Sequence, residues 1–283
     1  MTVERPEGFT RIAVVGLGAM GGSLAKALGT LPDPPRRIGW SVERPEARSA
    51  LSERAVDAAP ERLQDAVEEA DLVVLAVPLS AVIQLMAEIA TWIAPDALVT
   101  DVASLKAPVA RAAAAAGLRD RWVGSHPMCG SEDSGFAASR SDLYRGARIF
   151  LVSHPDAETP HARLASFWRA LGAEPERVAA AEHDVRMALV SHLPQLTANA
   201  LAAAFATGGI LPEELGPGGA DMTRLAGSSP QMWSDVLAAG TTVSTHLRAL
   251  ARELDAIARH LDDRELDEVA ALMRRTRKWR REA

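Results

Sequence analysis

The sequence has one cysteine, one tyrosine, few aromatic residues, no excess of positive charge and no long apolar run. Each shortage excludes something. A lone thiol, Cys129, closes no disulfide within the chain, so stability must come from a packed core, and a reducing cytoplasm is the expected compartment. The first ten residues, MTVERPEGFT, lack the apolar centre of a secretory leader. With 31 Lys and Arg against 37 Asp and Glu, the net charge of -6 repels polyanions, so nucleic acid is not an expected partner. The strongest apolar run, Leu72 to Val77, is strand-sized and far from the ~18 residues of a membrane span, so no membrane is expected. Seven histidines and one cysteine fall into no metal-ligand spacing, and no metal is expected.

What is present suits a folded protein. The chain has 283 residues, 48% of them hydrophobic. At roughly 150 residues per domain, that length predicts about two domains. Up to about residue 180, short β-type runs alternate with Ala-rich amphipathic stretches, the pattern of parallel strands buried under helices on both faces. Strands are expected at Arg11 to Val15, Arg37 to Trp40, Asp71 to Val77, Leu98 to Val102, Trp122 to Ser125 and Arg148 to Val152. After Glu182 the β-type runs stop. His183 to Phe205, Pro230 to His260 and Arg264 to Arg281 read as long helices, broken by the Gly/Pro-rich stretch Gly208 to Gly219. About 100 helical residues bury their apolar positions poorly alone, so a homodimer is expected. The terminal cations Arg274, Arg275, Arg277, Lys278, Arg280 and Arg281 read as a solvated helix end.

Residues 12 to 25, IAVVGLGAMGGSLA, carry the first chemical signal. Gly16, Gly18 and Gly21, with Leu17, Ala19 and Met20 between them, form G-x-G-x-x-G between a strand-like and a helix-like run. There the glycines allow a tight turn, close approach of backbone to a pyrophosphate and close helix packing, and the helix N-terminus attracts the anion. A structural glycine turn would use the same motif, but the context favours a dinucleotide. The expected fold class is therefore α/β: a Rossmann-type dinucleotide-binding domain over residues 1–180, then an all-helical dimerisation domain over 181–283.

The second strand ends at Trp40 and Ser41, followed by Val42, Glu43 and Arg44. A hydroxyl on Ser41 and the Arg44 guanidinium suit a ribose 2'-phosphate, which a carboxylate at that strand end would repel, so NADP is favoured over NAD. Glu43 is the group that would reverse this, if it reached the ribose. Val77 and Pro78 follow the third strand and complete the expected cofactor set.

Three segments follow strand ends: AVPLS at 76 to 80, TDVASLK at 100 to 106 and GSHPMCGSEDSG at 124 to 135. In an open α/β sheet the ligand crevice lies at the carboxyl ends of the strands, so Pro78, Ser104 and His126 are expected to converge there. A fourth segment, HDVRMALVSHLPQ at 183 to 195, lies in the helical half, where Pro194 leaves the Val190 carbonyl without its helical partner and predicts a broken helix. A Ser/His hydrolase would need a G-x-S-x-G elbow, and none surrounds Ser104.

These motifs, GLGAMGGSLA, TDVASLK, the HPM-C-GSE segment, VSHLP and TRLAGSSPQMW, resemble in content and order those of the prephenate/arogenate dehydrogenase family of tyrosine biosynthesis, over roughly residues 11 to 235. The resemblance implies an NAD(P)-dependent oxidative decarboxylation of a cyclohexadienol, from prephenate to 4-hydroxyphenylpyruvate or from arogenate to tyrosine. It implies neither an additional regulatory domain after the helices nor a mutase domain before the first strand. His126 matches the catalytic histidine of that family, and a neutral imidazole with an ordinary pKa near ~6.5 suits removal of the ring hydroxyl proton. Ser104 matches a serine that bonds the same hydroxyl, although a serine there also serves as a helix N-cap ahead of Lys106. Lys106 itself reads as structural or phosphate-facing.

Arg224 matches the arginine that grips a substrate carboxylate. Trp233 matches a tryptophan that walls the site or packs the dimer core. Ser191 and His192 match the substrate-side serine and histidine, while Gln195 stands where relatives often carry a further histidine. Glu132 matches an acidic residue that pairs with arginine or gates the pocket. Asp133 would attract arogenate's ammonium if it faced the substrate side chain, and a solvated loop carboxylate is the other reading. Cys129 reads as a small packing residue, since alcohol oxidation needs no thiol. Two other classes stay open: a Rossmann reductase of the β-hydroxyacid dehydrogenase type, and a non-catalytic NADP(H) sensor.

Overall fold

The computed structural model describes residues 8–130, 133–240 and 242–282, apart from the side chain of Met232. The chain divides into two compact units. The first runs to Met187 and takes in Gly227–Gly240; the second comprises Ala188–Ala226 and the helices beyond residue 242.

The first unit opens with strand β1 (Arg11–Val15), helix α1 (Ala19–Leu28) and strand β2 (Arg36–Trp40). Helices α2 (Arg44–Ser52) and α3 (Leu63–Val67) precede strand β3 (Leu72–Leu75); α4 (Leu79–Ile89) then leads to β4 (Leu98–Asp101). These four strands form one parallel sheet in the order β2-β1-β3-β4. The chain moves outward from β1 to β2, then crosses back to place β3 on the other side of β1. The order therefore reverses at β1, and the carboxyl ends of β1 and β3 flank the crevice where open α/β sheets bind ligands. Strands β3 and β4 are buried throughout, which explains their continuous apolar runs.

After α5 (Ala107–Ala115) come β5 (Val123–Pro127), β6 (Arg148–Ser153), α6 (Glu158–Ala170) and β7 (Glu174–Arg177), forming a second sheet in the order β5-β6-β7. Here the parallel expectation fails, because β5 pairs antiparallel with β6. Among the described residues between them no crossover helix stands, and a short turn at Phe136–Ala138 lies where the chain reverses direction. Strand β7, with sequence EPER, is mostly exposed and carries no apolar pattern to predict it. An isolated bridge between Val99 and Trp122 ties the end of the first sheet to the approach to β5.

The expected long helices are subdivided. Helix α7 (Ala180–Met187) is followed by a π turn at Ala188–His192 and by α8 (Leu193–Thr207). Pro194 is accommodated by that wider turn, which relieves the missing N–H without ending the helix. The Gly/Pro-rich stretch contains a short helix, α9 (Pro217–Thr223), with proline in its first turn. Pro230 to His260 is two helices, α10 (Pro230–Ala238) and α11 (Val243–Asp262); Gly240, at φ 82°, occupies the left-handed region that ends the first. Helix α10 belongs to the first unit, where Val236 is buried in the core and Asp235 accepts a 2.7 Å hydrogen bond from Ser80. The last helix is α12 (Leu266–Arg281), whose terminal cations lie in solvent. No described helix is long and apolar enough to cross a membrane.

Candidate active site

The glycine turn is built by contact. Gly16 has φ 94°, and a Cβ there would lie 2.3 Å from the Ala76 carbonyl oxygen, against the backbone that leaves β3. At Gly21 a Cβ would lie 1.8 Å from the Gly16 oxygen, so only glycine lets α1 start this close to the strand. Gly18 by contrast faces open space, its nearest neighbour being a Glu46 carboxylate oxygen at 3.9 Å from an added Cβ. Helix α1 has no side-chain cap and no acidic residue in its first turn. An uncapped helix N-terminus beside bare glycine backbone fits a pyrophosphate. Leu17 is fully buried, Ala19 and Met20 are half-buried, and Tyr144 donates a 2.8 Å hydrogen bond to the Met20 carbonyl. Val77 lies against Gly16, and Pro78 occupies the N-cap position of α4.

At the end of β2, Ser41 is buried and its hydroxyl donates to Glu46 at 3.0 Å. Arg44 donates to the Pro60 carbonyl at 2.9 Å. Both groups expected to favour a 2'-phosphate thus have protein partners, and a carboxylate stands between Ser41 and Gly18.

His126 lies on β5, half-buried. Its Nδ1 is 2.8 Å from Nε2 of His183 on α7, and the two rings meet edge to face. His183 is buried, and its Nδ1 is 2.7 Å from Oδ1 of Asp184. Asp184 in turn accepts the backbone N–H groups of Lys106 and Ala107, each at 2.8 Å. Burial works to raise the Asp184 pKa, but the hydrogen bonds from His183 and the two N–H groups outweigh it and hold the carboxyl below its ordinary 3.8.

That carboxylate caps the start of α5. Ser104 lies two residues before the N-cap position, which Lys106 holds without a side-chain cap, so Ser104 does not cap this helix. Ser104 is half-buried in the β4–α5 turn. Lys106 is fully buried: its ammonium pairs with Asp101 and donates to the Ser125 carbonyl at 2.7 Å, the peptide just before His126. Asp101 also accepts from the Ala103 N–H and the Trp122 indole, each at 3.0 Å. Lys106 is therefore structural. Cys129 is half-buried against the core, and burial pushes its thiol up to about 11 against the pull of Arg140, an inert state. Asp133 is exposed, and Glu132 lies outside the described residues. Trp233, on α10, is half-buried and packs on the core of the first unit.

In the second unit, Ser191 and His192 sit on the π turn, with Ser191 half-buried and His192 buried. Arg224 is exposed at the head of the 3-10 turn Arg224–Gly227. Buried Gln195 donates to the Leu225 carbonyl at 2.7 Å and to Asn199 at 2.9 Å, so it ties α8 to the turn that carries Arg224.

Two family models match in succession: the prephenate dehydrogenase nucleotide-binding domain over residues 34–177 and the prephenate dehydrogenase dimerization domain over 179–275. The chain belongs to the prephenate dehydrogenase family. It is an oxidoreductase with a nucleotide-binding domain. Among curated proteins it is similar to the cyclohexadienyl dehydrogenase of Zymomonas mobilis, with 32% identity over 81% of this chain and 80% of that protein. It is also similar to the prephenate dehydrogenase of Lactococcus lactis, with 29% identity over 90% of this chain and 72% of that one. Among solved structures, prephenate dehydrogenase of Aquifex aeolicus, in complex with hydroxyphenyl propionate and NAD+, superposes with a TM-score of 0.85 at 27% identity, covering 96% of this chain and 98% of that one. Arogenate dehydrogenase of Synechocystis gives 0.80 at 26%, covering 95% and 98%.

Sequence reasoning about this family member missed four residues: His183, Asp184, Glu46 and Gln195 as a tether. His183 and Asp184 stand in the HDV segment already singled out, but nothing local says which histidine they meet. Glu46 follows Ser41 by five positions, and its turn toward the hydroxyl depends on the start of α2 at Arg44.

Proposed function

We propose that the chain oxidises and decarboxylates a cyclohexadienol, either prephenate or arogenate, with His126 as the base. The observation that carries this reading is the His126 imidazole, set in the HPM segment of a family dehydrogenase and bonded through Nδ1 to a buried histidine. Bound at the glycine loop, a nicotinamide ring supplies the hydride acceptor. His126 takes the proton of the ring hydroxyl as the carbinol C–H bond breaks. Cleavage of the ring C–carboxylate bond then sends its electron pair through the ring onto that oxygen, releasing carbon dioxide and leaving an aromatic phenolate, to which protonated His126 returns the proton. Ser104 holds the hydroxyl, and Arg224 binds a carboxylate, the bidentate geometry favouring arginine. His192, Ser191, Asp133, Glu132 and Trp233 complete the proposed substrate set, with substrate contacts supplied in part by residues 181–283 and cofactor contacts by 1–180.

For the cofactor, Ser41 and Arg44 favour NADP, and Glu46 opposes it. A 2'-phosphate requires Arg44 to leave the Pro60 carbonyl and Ser41 to leave Glu46; a free 2'-hydroxyl requires neither. Glu46 therefore sets the margin by which NADP is preferred. A homodimer is supported by the dimerization-domain match and by the apolar side chains exposed on α11 and α12, among them Leu254, Leu261, Met273 and Trp279. The chain's likeness to a Mycobacterium tuberculosis 3-hydroxyisobutyrate dehydrogenase, at 20% identity and a TM-score of 0.51, is one of fold alone and lends the β-hydroxyacid reading no support.

The test is reduced-nicotinamide absorbance with prephenate or arogenate, crossed with NAD or NADP. Turnover with at least one pair is expected, and His126→Asn lowers kcat by roughly 10²–10⁴. Absence of turnover with every pair refutes the reading in favour of a sensor, and near-normal turnover of the variant assigns the proton to another group.

A further inference from the structure

We infer that His183 and Asp184 are positioning residues that fix the tautomer of His126, placing its lone pair on Nε2 and its proton on Nδ1. The inference rests on the proposed base and deepens it. The three groups lie within one unit, on β5 and α7, and form an unbroken chain: His126 Nδ1 to His183 Nε2 at 2.8 Å, then His183 Nδ1 to Asp184 Oδ1 at 2.7 Å. The proton positions follow from the far end. Asp184 accepts two backbone N–H groups at the start of α5 in addition to the imidazole, Oδ1 taking that of Lys106 and Oδ2 that of Ala107. A carboxylate so engaged is ionised and has no proton to give. His183 Nδ1 must then be the donor, and in a neutral imidazole the other nitrogen, Nε2, must accept. Among the described residues, Nδ1 of His126 is the group placed to donate to it, so a neutral His126 keeps its basic lone pair on Nε2. When His126 takes a proton, its positive charge is balanced through His183 by Asp184, as a buried carboxylate balances the imidazolium in serine hydrolases.

The other charges near this chain are already matched. Lys106, on the Ser125 carbonyl, pairs with Asp101. Arg148 and Arg186 stand over the ring of Phe150, which faces His183, and both pair with Glu176. Substitution at 183 leaves the ion pairs of all three cations in place, whereas Lys106 also feels Asp184, through its backbone N–H and the pull of that carboxylate on its ammonium, so the pH profile of Asp184→Asn is read beside that of the His183 variants.

Three variants and one direct measurement test this. Glutamine at 183 offers a carbonyl oxygen in place of Nε2; phenylalanine offers none. His183→Phe is expected to lose about 10²-fold in kcat with KM little changed, and His183→Gln to stay within about tenfold of the parent. Asp184→Asn is expected to lose roughly 10²–10⁴ in kcat. It should also lower the acid limb of kcat/KM by about one pH unit, because imidazolium loses its counter-charge. Equal losses in His183→Phe and His183→Gln, or an unmoved acid limb in Asp184→Asn, overturn the inference. Should the variants fail to fold, nitrogen NMR of the histidine rings in the unmodified protein decides it: neutral His126 protonated at Nε2 overturns the assignment. His126→Asn is run alongside. If it retains turnover, the proposed base is wrong; if it alone loses turnover, the base stands and the relay falls.

Discussion

Replacing Lys106 by methionine removes one half of an ion pair in which both side chains are fully buried. The Asp101 carboxylate would keep only the Ala103 N–H and the Trp122 indole, and the Ser125 carbonyl would lose its donor. Burial already pushes the Lys106 ammonium below its usual pKa against the pull of Asp101, the mark of a charge retained by its partner. Breaking such a pair costs about 3–5 kcal/mol, because the surviving charge is neither hydrated nor matched. Against a typical total stability of about 5–15 kcal/mol, that is a large share. At roughly 2–4 °C per kcal/mol for a unit of this size, the melting temperature falls by about 6–20 °C. Urea unfolding followed by tryptophan fluorescence, with calorimetry, measures both quantities. The double variant Lys106→Met with Asp101→Asn removes the orphan charge and is expected to be more stable than the single one by about 1–3 kcal/mol. A single variant within about 1 kcal/mol of the parent, or a double variant no better than the single, refutes the reasoning.

Three further outcomes are expected. Ser41→Asp shifts the kcat/KM ratio toward NAD by about tenfold, while Glu46→Gln shifts it toward NADP; unchanged ratios in both would remove the 2' group from this corner. Arg224→Ala raises substrate KM by about 10–100-fold, from the loss of a charge-assisted bidentate contact, with cofactor KM unchanged; a change confined to kcat would place Arg224 elsewhere in the mechanism. Asp71 behaves like Asp184: burial works to raise its pKa, but hydrogen bonds from Thr10 and the Arg11 N–H hold it below the ordinary 3.8. Because the folded-state values are depressed, this stability is present above about pH 3.8 and is lost as pH falls through them, so acid unfolding should start below that point and shift upward in Asp184→Asn.

The α/β plan and the glycine turn were legible in the amino-acid string because their signals are local. Continuous apolar runs mark strands buried on both faces, and Gly21 is demanded by the Gly16 carbonyl five residues before it, although what demands glycine at 16 is the Ala76 backbone, 60 residues on. The antiparallel β5–β6 pair and the exposed strand β7 were not legible, since neither loop direction nor an EPER edge strand leaves an apolar period. The same divide runs through the candidate site. Residue order alone offered His126, Ser104 and Arg224 as chemically apt side chains and left Ser104 a plausible helix cap. Folding brought Asp184 to the start of α5 from 77 residues away, removing that cap role and joining His183 to His126 across 57 positions. It also turned Glu46 onto Ser41. A sequence specifies which groups are able to donate, accept or carry charge; which of them meet depends on how strands and helices pack. Hydrogen bonds act over about 3 Å, a distance that separation along the chain does not encode.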